Sequence, residues 1–156
     1  MTGAEIIGTN PDFIKMGIRG MEPTIEEIIR SATSELQVIA YVFTPQAIEI
    51  LNLIERAAEA GIRVTIVVNN LSNQNPLIQE KLRKIALIEN ARIVDFVHEK
   101  KRQLHAKVII ADRKVALVGS ANFTWGGLYS NYEVGIKVEG EAAWKLAEMT
   151  DYFSNK

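Results

Sequence analysis

Residues 104–133 read LHAKVIIADRKVALVGSANFTWGGLYSNYE. Inside this stretch, residues 104–111 and 115–119 are short apolar runs parted only by the polar Asp112, Arg113 and Lys114. Runs of this length bounded by turn residues read as strands, and so short a connection makes them neighbours in one sheet. Working outward, residues 132–138 read as a further strand, and upstream so do residues 36–43, 62–68 and 92–97. Helical spacing falls between them. Residues 22–32 carry Ile25, Ile28, Ile29 and Ala32 on one face, with Thr24 and Glu27 placed for a capping box. Thr44-Pro45 opens a helix lined by Ala47, Ile48, Leu51, Ile54 and Ala58 and ended by Gly61. Pro76 opens another, carrying Leu77, Ile78, Leu82, Ile85 and Ile88, and residues 141–153 form a last one with Trp144, Leu146, Ala147 and Met149. Strands alternating with helices, then consecutive strands, predict an α/β protein: a mixed β-sheet flanked by helices on both faces. No repeat or linker interrupts it, so residues 1–156 are expected to form a single domain.

Composition narrows the function classes. The chain has 156 residues, 47% hydrophobic and 24% charged, as in ordinary globular proteins. There is no cysteine, which excludes disulfides, thiolate metal sites and thiol catalysis. Two histidines leave little for a His-rich metal centre, and a net charge of -1 argues against one broad basic face. No apolar run reaches the ~20 residues that cross a bilayer. The first residues lack the pattern of a secretory leader, and a cytoplasmic protein is expected.

Chemistry concentrates in the quoted stretch, in the pattern His105-x-Lys107, Asp112, then Gly119-Ser120-x-Asn122. On a strand, residues two apart share a face, so His105 and Lys107 project together. A two- or four-residue turn pairs Ala111 with Lys114 and sets His105 opposite Ser120; an odd turn slips that register by one. Asp112 lies seven residues from His105, roughly 23 Å along a straight strand at about 3.3 Å per residue. It is therefore expected to fix the turn, and Glu133 on the next strand is the candidate to orient His105.

An imidazole, an ammonium, a hydroxyl and a carboxamide together suit a phosphoryl group. The imidazole can attack phosphorus or protonate a leaving oxygen, while Lys107 and Asn122 hold the non-bridging oxygens. Gly119 allows close backbone approach, and the turn after Asn122 offers amides to an anion. Lys100, Lys101 and Arg102 make residues 98–114 locally basic, with six Lys or Arg against two acidic residues. These three, with Phe123 and Trp125, are candidate substrate contacts. The aromatic residues, Tyr129 among them, either stack on bases or pack at the loop-to-helix junction.

The pattern H-x-K-x4-D-x6-G-S-x-N resembles the signature of the phospholipase D superfamily, and 40–44 (AYVFT) and 61–64 (GIRV) resemble segments of its small single-motif endonucleases. The resemblance runs from about Glu22 to the end. It implies a phospholipase D-like fold and a phosphodiesterase that needs no metal or other cofactor. One motif's histidine attacks the phosphodiester to give a phosphohistidine, and the histidine of a second motif protonates the leaving alcohol. Carried over, His105 fills both roles in two copies, Lys107 and Asn122 bind phosphate, Ser120 supports the site, and Glu133 bonds the far nitrogen of His105. Ala121 stands where the small nucleases carry an aromatic residue.

Only one motif is present. His98, in VHEK, lacks both the lysine two residues on and the distal Gly-Ser-x-Asn. A two-fold homodimer with a composite active site supplies the second histidine. The expected substrate is nucleic acid, DNA or RNA. The alternatives are a lipid phosphodiesterase of cardiolipin hydrolase type, disfavoured by the lack of a membrane anchor, and a binding module without turnover.

Overall fold

A computed structural model describes residues 3–155. Its centre is built by the most apolar segments: β3 (Glu35–Ala40), β4 (Arg63–Asn69) and β6 (Val108–Ala111) are almost continuously buried, because helices cover both of their faces. Together with β1 (Ala4–Thr9), β2 (Arg19–Gly20), β5 (Ala91–Phe96), β7 (Val115–Gly119) and β8 (Glu133–Glu139), they form one eight-stranded sheet in the order β2-β1-β8-β7-β6-β3-β4-β5. Strands β3, β4 and β5 run parallel, and β6, β7, β8 and β1 continue antiparallel. The mixed sheet expected from the sequence is present.

Side chains alternate between two cores. On one face Val38, Ile66 and Ile109 meet α2 (Met21–Ser31), α3 (Ile48–Glu59) and α4 (Pro76–Ala86). On the other, Ile39, Val67 and Ile110 meet α5 (Glu141–Ser154) through Ala143 and Ala147. A single helix cannot cover eight strands. On the α5 side, the paired Ile6 and Ile136 are 51% and 39% exposed, and their neighbour Val134 is 50% exposed.

Several local expectations are corrected. Thr24 does not cap α2, which starts three residues earlier. Its buried hydroxyl donates to the Gly20 carbonyl at 2.8 Å, and Glu27 pairs with Arg19 and Lys137 instead. Thr44 makes no side-chain cap, and a 3₁₀ turn, Pro45–Ala47, precedes α3. Asn75 does cap α4, accepting from the Leu77 amide at 2.9 Å. The amino-terminal β1, α1 (Pro11–Lys15) and β2 were not read from the sequence at all. Asn10 caps α1 with Pro11 in its first turn, a signal of the type used elsewhere in the chain.

The β6–β7 turn is odd. Ala111 pairs with Val115, leaving Asp112, Arg113 and Lys114 between them, the first two at φ 55° and 57°. Asp112 is held in that conformation from outside the hairpin. Its amide donates to the Glu35 carbonyl at 2.8 Å, and its carboxylate accepts from the amides of Thr33, Ser34 and Glu35 and from both hydroxyls. Burial alone raises the Asp112 pKa, but those amides outweigh it and hold the carboxyl well below the usual range. The expected pairing of His105 opposite Ser120 is therefore wrong by one residue. β6 is also shorter than expected: its partner β7 stops at Gly119 and β3 at Ala40, so residues 104–107 run on beyond the regular ladder.

Candidate active site

The carboxyl ends of β1, β3, β4, β5 and β7 and the amino ends of β6 and β8 share one edge of the sheet. This edge is where open α/β sheets hold their ligands. His105, Lys107, Ser120, Asn122 and Glu133 all lie along it, and Asp112 lies at the opposite edge. Asp112 thus has no contact with the chemistry; it ties the start of β3 to the end of β6.

Immediately after β3, Tyr41 meets the imidazole of His105 with ring centres 4.5 Å apart. The Lys107 ammonium stands 2.8 Å from Nδ1 of His105 and 5.7 Å from the Tyr41 ring centre. An ammonium has only hydrogens to offer, so Nδ1 accepts in this arrangement. Burial lowers the Lys107 pKa, and the charge of Glu133 opposes that fall. His105 itself is exposed. Within residues 40–44 (AYVFT), nothing in the sequence signals that Tyr41 meets His105.

Glu133 is placed differently from the expectation. Its carboxylate accepts from the Ser120 hydroxyl at 2.6 Å and from the Asn131 carboxamide at 3.1 Å, rather than from His105. Ser120 in turn accepts from the Val134 amide at 3.2 Å, so β7, β8 and the loop before β8 are locked together beside Lys107.

Both glycines near the site serve backbone contact. A Cβ at Gly119 would stand 2.5 Å from the Val134 carbonyl, so the close approach here is to β8. A Cβ at Gly127 would collide with the backbone of Asn122. Thr9 clamps the same turn, its buried hydroxyl donating to the Gly127 carbonyl at 2.6 Å. So fixed, Asn122 keeps its Oδ1 buried and without a partner among the described residues. An amide oxygen accepts and so calls for a donor; toward a phosphate oxygen only the Asn122 Nδ2 group can donate. The turn after it is a π-helical one, Gly126–Ser130, whose Gly127 amide already donates to Thr124 Oγ1 at 3.0 Å.

Of the candidate substrate contacts, Phe123 is corrected. It is 4% exposed and stacked on Phe43 at 4.9 Å, with its carbonyl accepting from the Thr44 amide. Its position just inside the β3–α3 junction makes it core. Trp125 is 57% exposed and packs on Tyr129 at 4.6 Å. Lys100, Lys101 and Arg102 are exposed on the loop entering the site. Trp144 is half exposed over Arg113, and Phe153 packs on Phe96. Among the described residues, no three His, Asp or Glu side chains gather as metal ligands would, and no helix is long and apolar enough to cross a membrane.

The chain belongs to the phospholipase D-like family: the model of the family described as Cardiolipin synthase, PLD-like domain, matches residues 25–156. Among curated relatives, the DISARM protein DrmC of Bacillus paralicheniformis is 30% identical over 140 residues, 88% of this chain and 57% of its own length. A cardiolipin synthase of Clostridium perfringens is 28% identical over 146 residues, 94% of this chain and 30% of its own length. The chain therefore spans only part of these relatives. In fold it is similar to NucT from Helicobacter pylori, with a TM-score of 0.79 at 22% identity over 99% of this chain and 97% of that one. Nuc from Salmonella typhimurium, a phospholipase D family member, gives a TM-score of 0.78 at 22% identity, covering 99% and 95%.

Proposed function

We propose that the protein is a metal-independent phosphodiesterase that cleaves nucleic acid at a site shared by two copies of the chain. The observation that carries this reading is the His105–Lys107–Tyr41 group at the sheet edge, in the family's own sequence pattern. Beside it lies an exposed basic loop.

The open apolar strip of Ile6, Val134 and Ile136 supports the second copy, because Ser120, paired with Val134 across β7 and β8, borders it. A protomer seated there brings its own site edge alongside. With Lys107 turned to the phosphate and the ring proton on Nδ1, His105 of one protomer then attacks phosphorus through Nε2, forming a P–N bond as the P–O bond to the leaving alcohol breaks. His105 of the partner subunit gives that oxygen its proton. Water next attacks the phosphohistidine and passes a proton to the same imidazole, releasing the phosphomonoester and restoring both rings. Lys107 and Asn122 hold the non-bridging oxygens as charge spreads over them. Glu133 acts through Ser120 and Asn131, keeping the β7–β8 side of the site in place.

A lipid phosphodiester is the second reading, favoured by the likeness to cardiolipin synthases. Incubation with single-stranded DNA, duplex DNA, RNA and cardiolipin vesicles in excess EDTA, beside a His105→Ala control, separates the two. Nucleic-acid cleavage that survives chelation and is lost in the variant supports the proposal. Cleavage of cardiolipin alone transfers the site to lipids, and binding without turnover leaves a recognition module.

A further inference from the structure

Next to the candidate site, at the ends of β4 and β5, lies a cavity of about 540 Å³, within the size range of small-ligand sites. It is joined to the catalytic residues by the chain itself. Asn69, the last residue of β4, accepts from the Leu104 amide and donates to Gln103 Oε1, both at 2.8 Å. Leu104 immediately precedes His105. The cavity wall therefore continues into the site, and Arg102, three residues from His105, lies within ~10 Å of it along the backbone.

The lining combines apolar and polar side chains. Phe96 and Val97 are its apolar members, and Phe96 and His98 lie nearly parallel, at 24° and 6.2 Å. The His98 Nδ1 accepts from the Lys100 amide at 3.1 Å, leaving Nε2 to face a ligand. Asn70 Oδ1 accepts from the Ser72 hydroxyl, which leaves its NH₂ group free to donate. The side chains of Asn73, Lys101 and Arg102 make no hydrogen bond or ion pair with the described residues. Asn70 and Lys101, both in the lining, adopt left-handed backbone at φ 49° and 56°.

We infer that this cavity receives a nucleobase next to the scissile phosphate, an inference that rests on the nuclease reading of the site. Flat aromatic surfaces accept any base by stacking, carboxamides pair with base edges, and Lys101 and Arg102 meet the neighbouring phosphate. An acyl chain gains nothing from the carboxamides, which it would strip of water without replacement. The cavity lies toward β5, on the far side of the site from the open β1–β8 strip. A second copy on that strip therefore leaves it clear, and each protomer offers one base pocket to a strand crossing the shared centre.

The test uses the full chain with four substrates: a short single-stranded oligonucleotide, the same strand abasic beside the cleaved bond, bis(4-nitrophenyl) phosphate as a diester without a base, and cardiolipin vesicles. Variants are Asn73→Ala and His98→Ala, neither of which fills the core, with thermal melts to confirm folding. The expected result is a KM for the normal strand raised roughly tenfold, with kcat retained and turnover of the aryl diester unchanged. The abasic strand should bind wild type as weakly as the normal strand binds the variants. Equal KM values for normal and abasic strands in wild type overturn the base pocket while leaving the nuclease reading intact. Hydrolysis of cardiolipin vesicles but no oligonucleotide overturns both, and cleavage that persists in His105→Ala overturns the catalytic assignment separately.

Discussion

The Lys107 ammonium nitrogen lies 2.8 Å from Nδ1 of His105, and the Tyr41 ring centre lies 4.5 Å from that of the imidazole. In the proposed reaction this ammonium holds the non-bridging oxygens of the phosphate, where negative charge gathers. Replacing Lys107 with Met is expected to lower kcat/KM on an oligonucleotide by roughly 10²–10³, the cost of losing one preorganised charge donor. Arginine should restore only part of this, since its planar fork does not match a point charge. Steady-state kinetics of the two variants check it; wild-type rates in Lys107→Met contradict it.

The uncovered strip on β1 and β8 makes a second prediction. Ile136→Asp places a charge where a second protomer is proposed to sit, and the residue is exposed, so folding should survive. Light scattering should show a monomer, and activity should fall at least tenfold, with partial recovery at high protein concentration. A dimer of unchanged stability in Ile136→Asp would place the interface elsewhere.

Asp112 serves stability at the edge away from the site. Its carboxyl is depressed, so its contribution is complete above the ordinary carboxylate pKa of ~3.9 and fades as pH falls below it. Asp112→Asn should cost about 2–3 kcal/mol near neutral pH, a charged acceptor's share of bonds to amides and hydroxyls. The difference from wild type should shrink in melts taken in strong acid. Below its melting transition, the variant should retain wild-type kcat.

Glu22 shows the opposite sign. Burial first, then the hydrogen bond and charge of Glu26 one helical turn on, push its carboxyl up to about 7. A raised acid contributes its full stability below the unfolded value near 4.3, and that contribution is lost as pH rises through about 7. Glu22→Gln should therefore leave melting near pH 4 almost unchanged. At pH 8–9 it should raise Tm by about 2–4 °C, corresponding to on the order of 1 kcal/mol.

Periodicity carried most of the sheet. β3, β4, β5, β7 and β8 and the helices between them stand within a few residues of where hydrophobic spacing placed them, because burial on both faces leaves an unambiguous apolar run. What escaped depends on contacts distant in sequence. The Asp112 turn is odd because residues 33–35 capture its carboxylate, and nothing within residues 104–119 encodes that. Glu133 turns to Ser120 and Asn131 for the same kind of reason, and Phe123 is core because Phe43, eighty residues earlier, stacks on it. Tyr41 was visible as a residue but not as a neighbour of His105, since only the β3–β6 pairing brings the two together.

The central claim is that one phosphorus atom is served by two copies of His105. It is tested most directly by a heterodimer of one wild-type and one His105→Ala protomer, isolated through two different affinity tags and assayed on single-stranded DNA in EDTA. The account predicts a loss of about a hundredfold or more, because attack and proton donation each need an imidazole. A heterodimer with about half the wild-type rate, as expected of two independent sites, contradicts it.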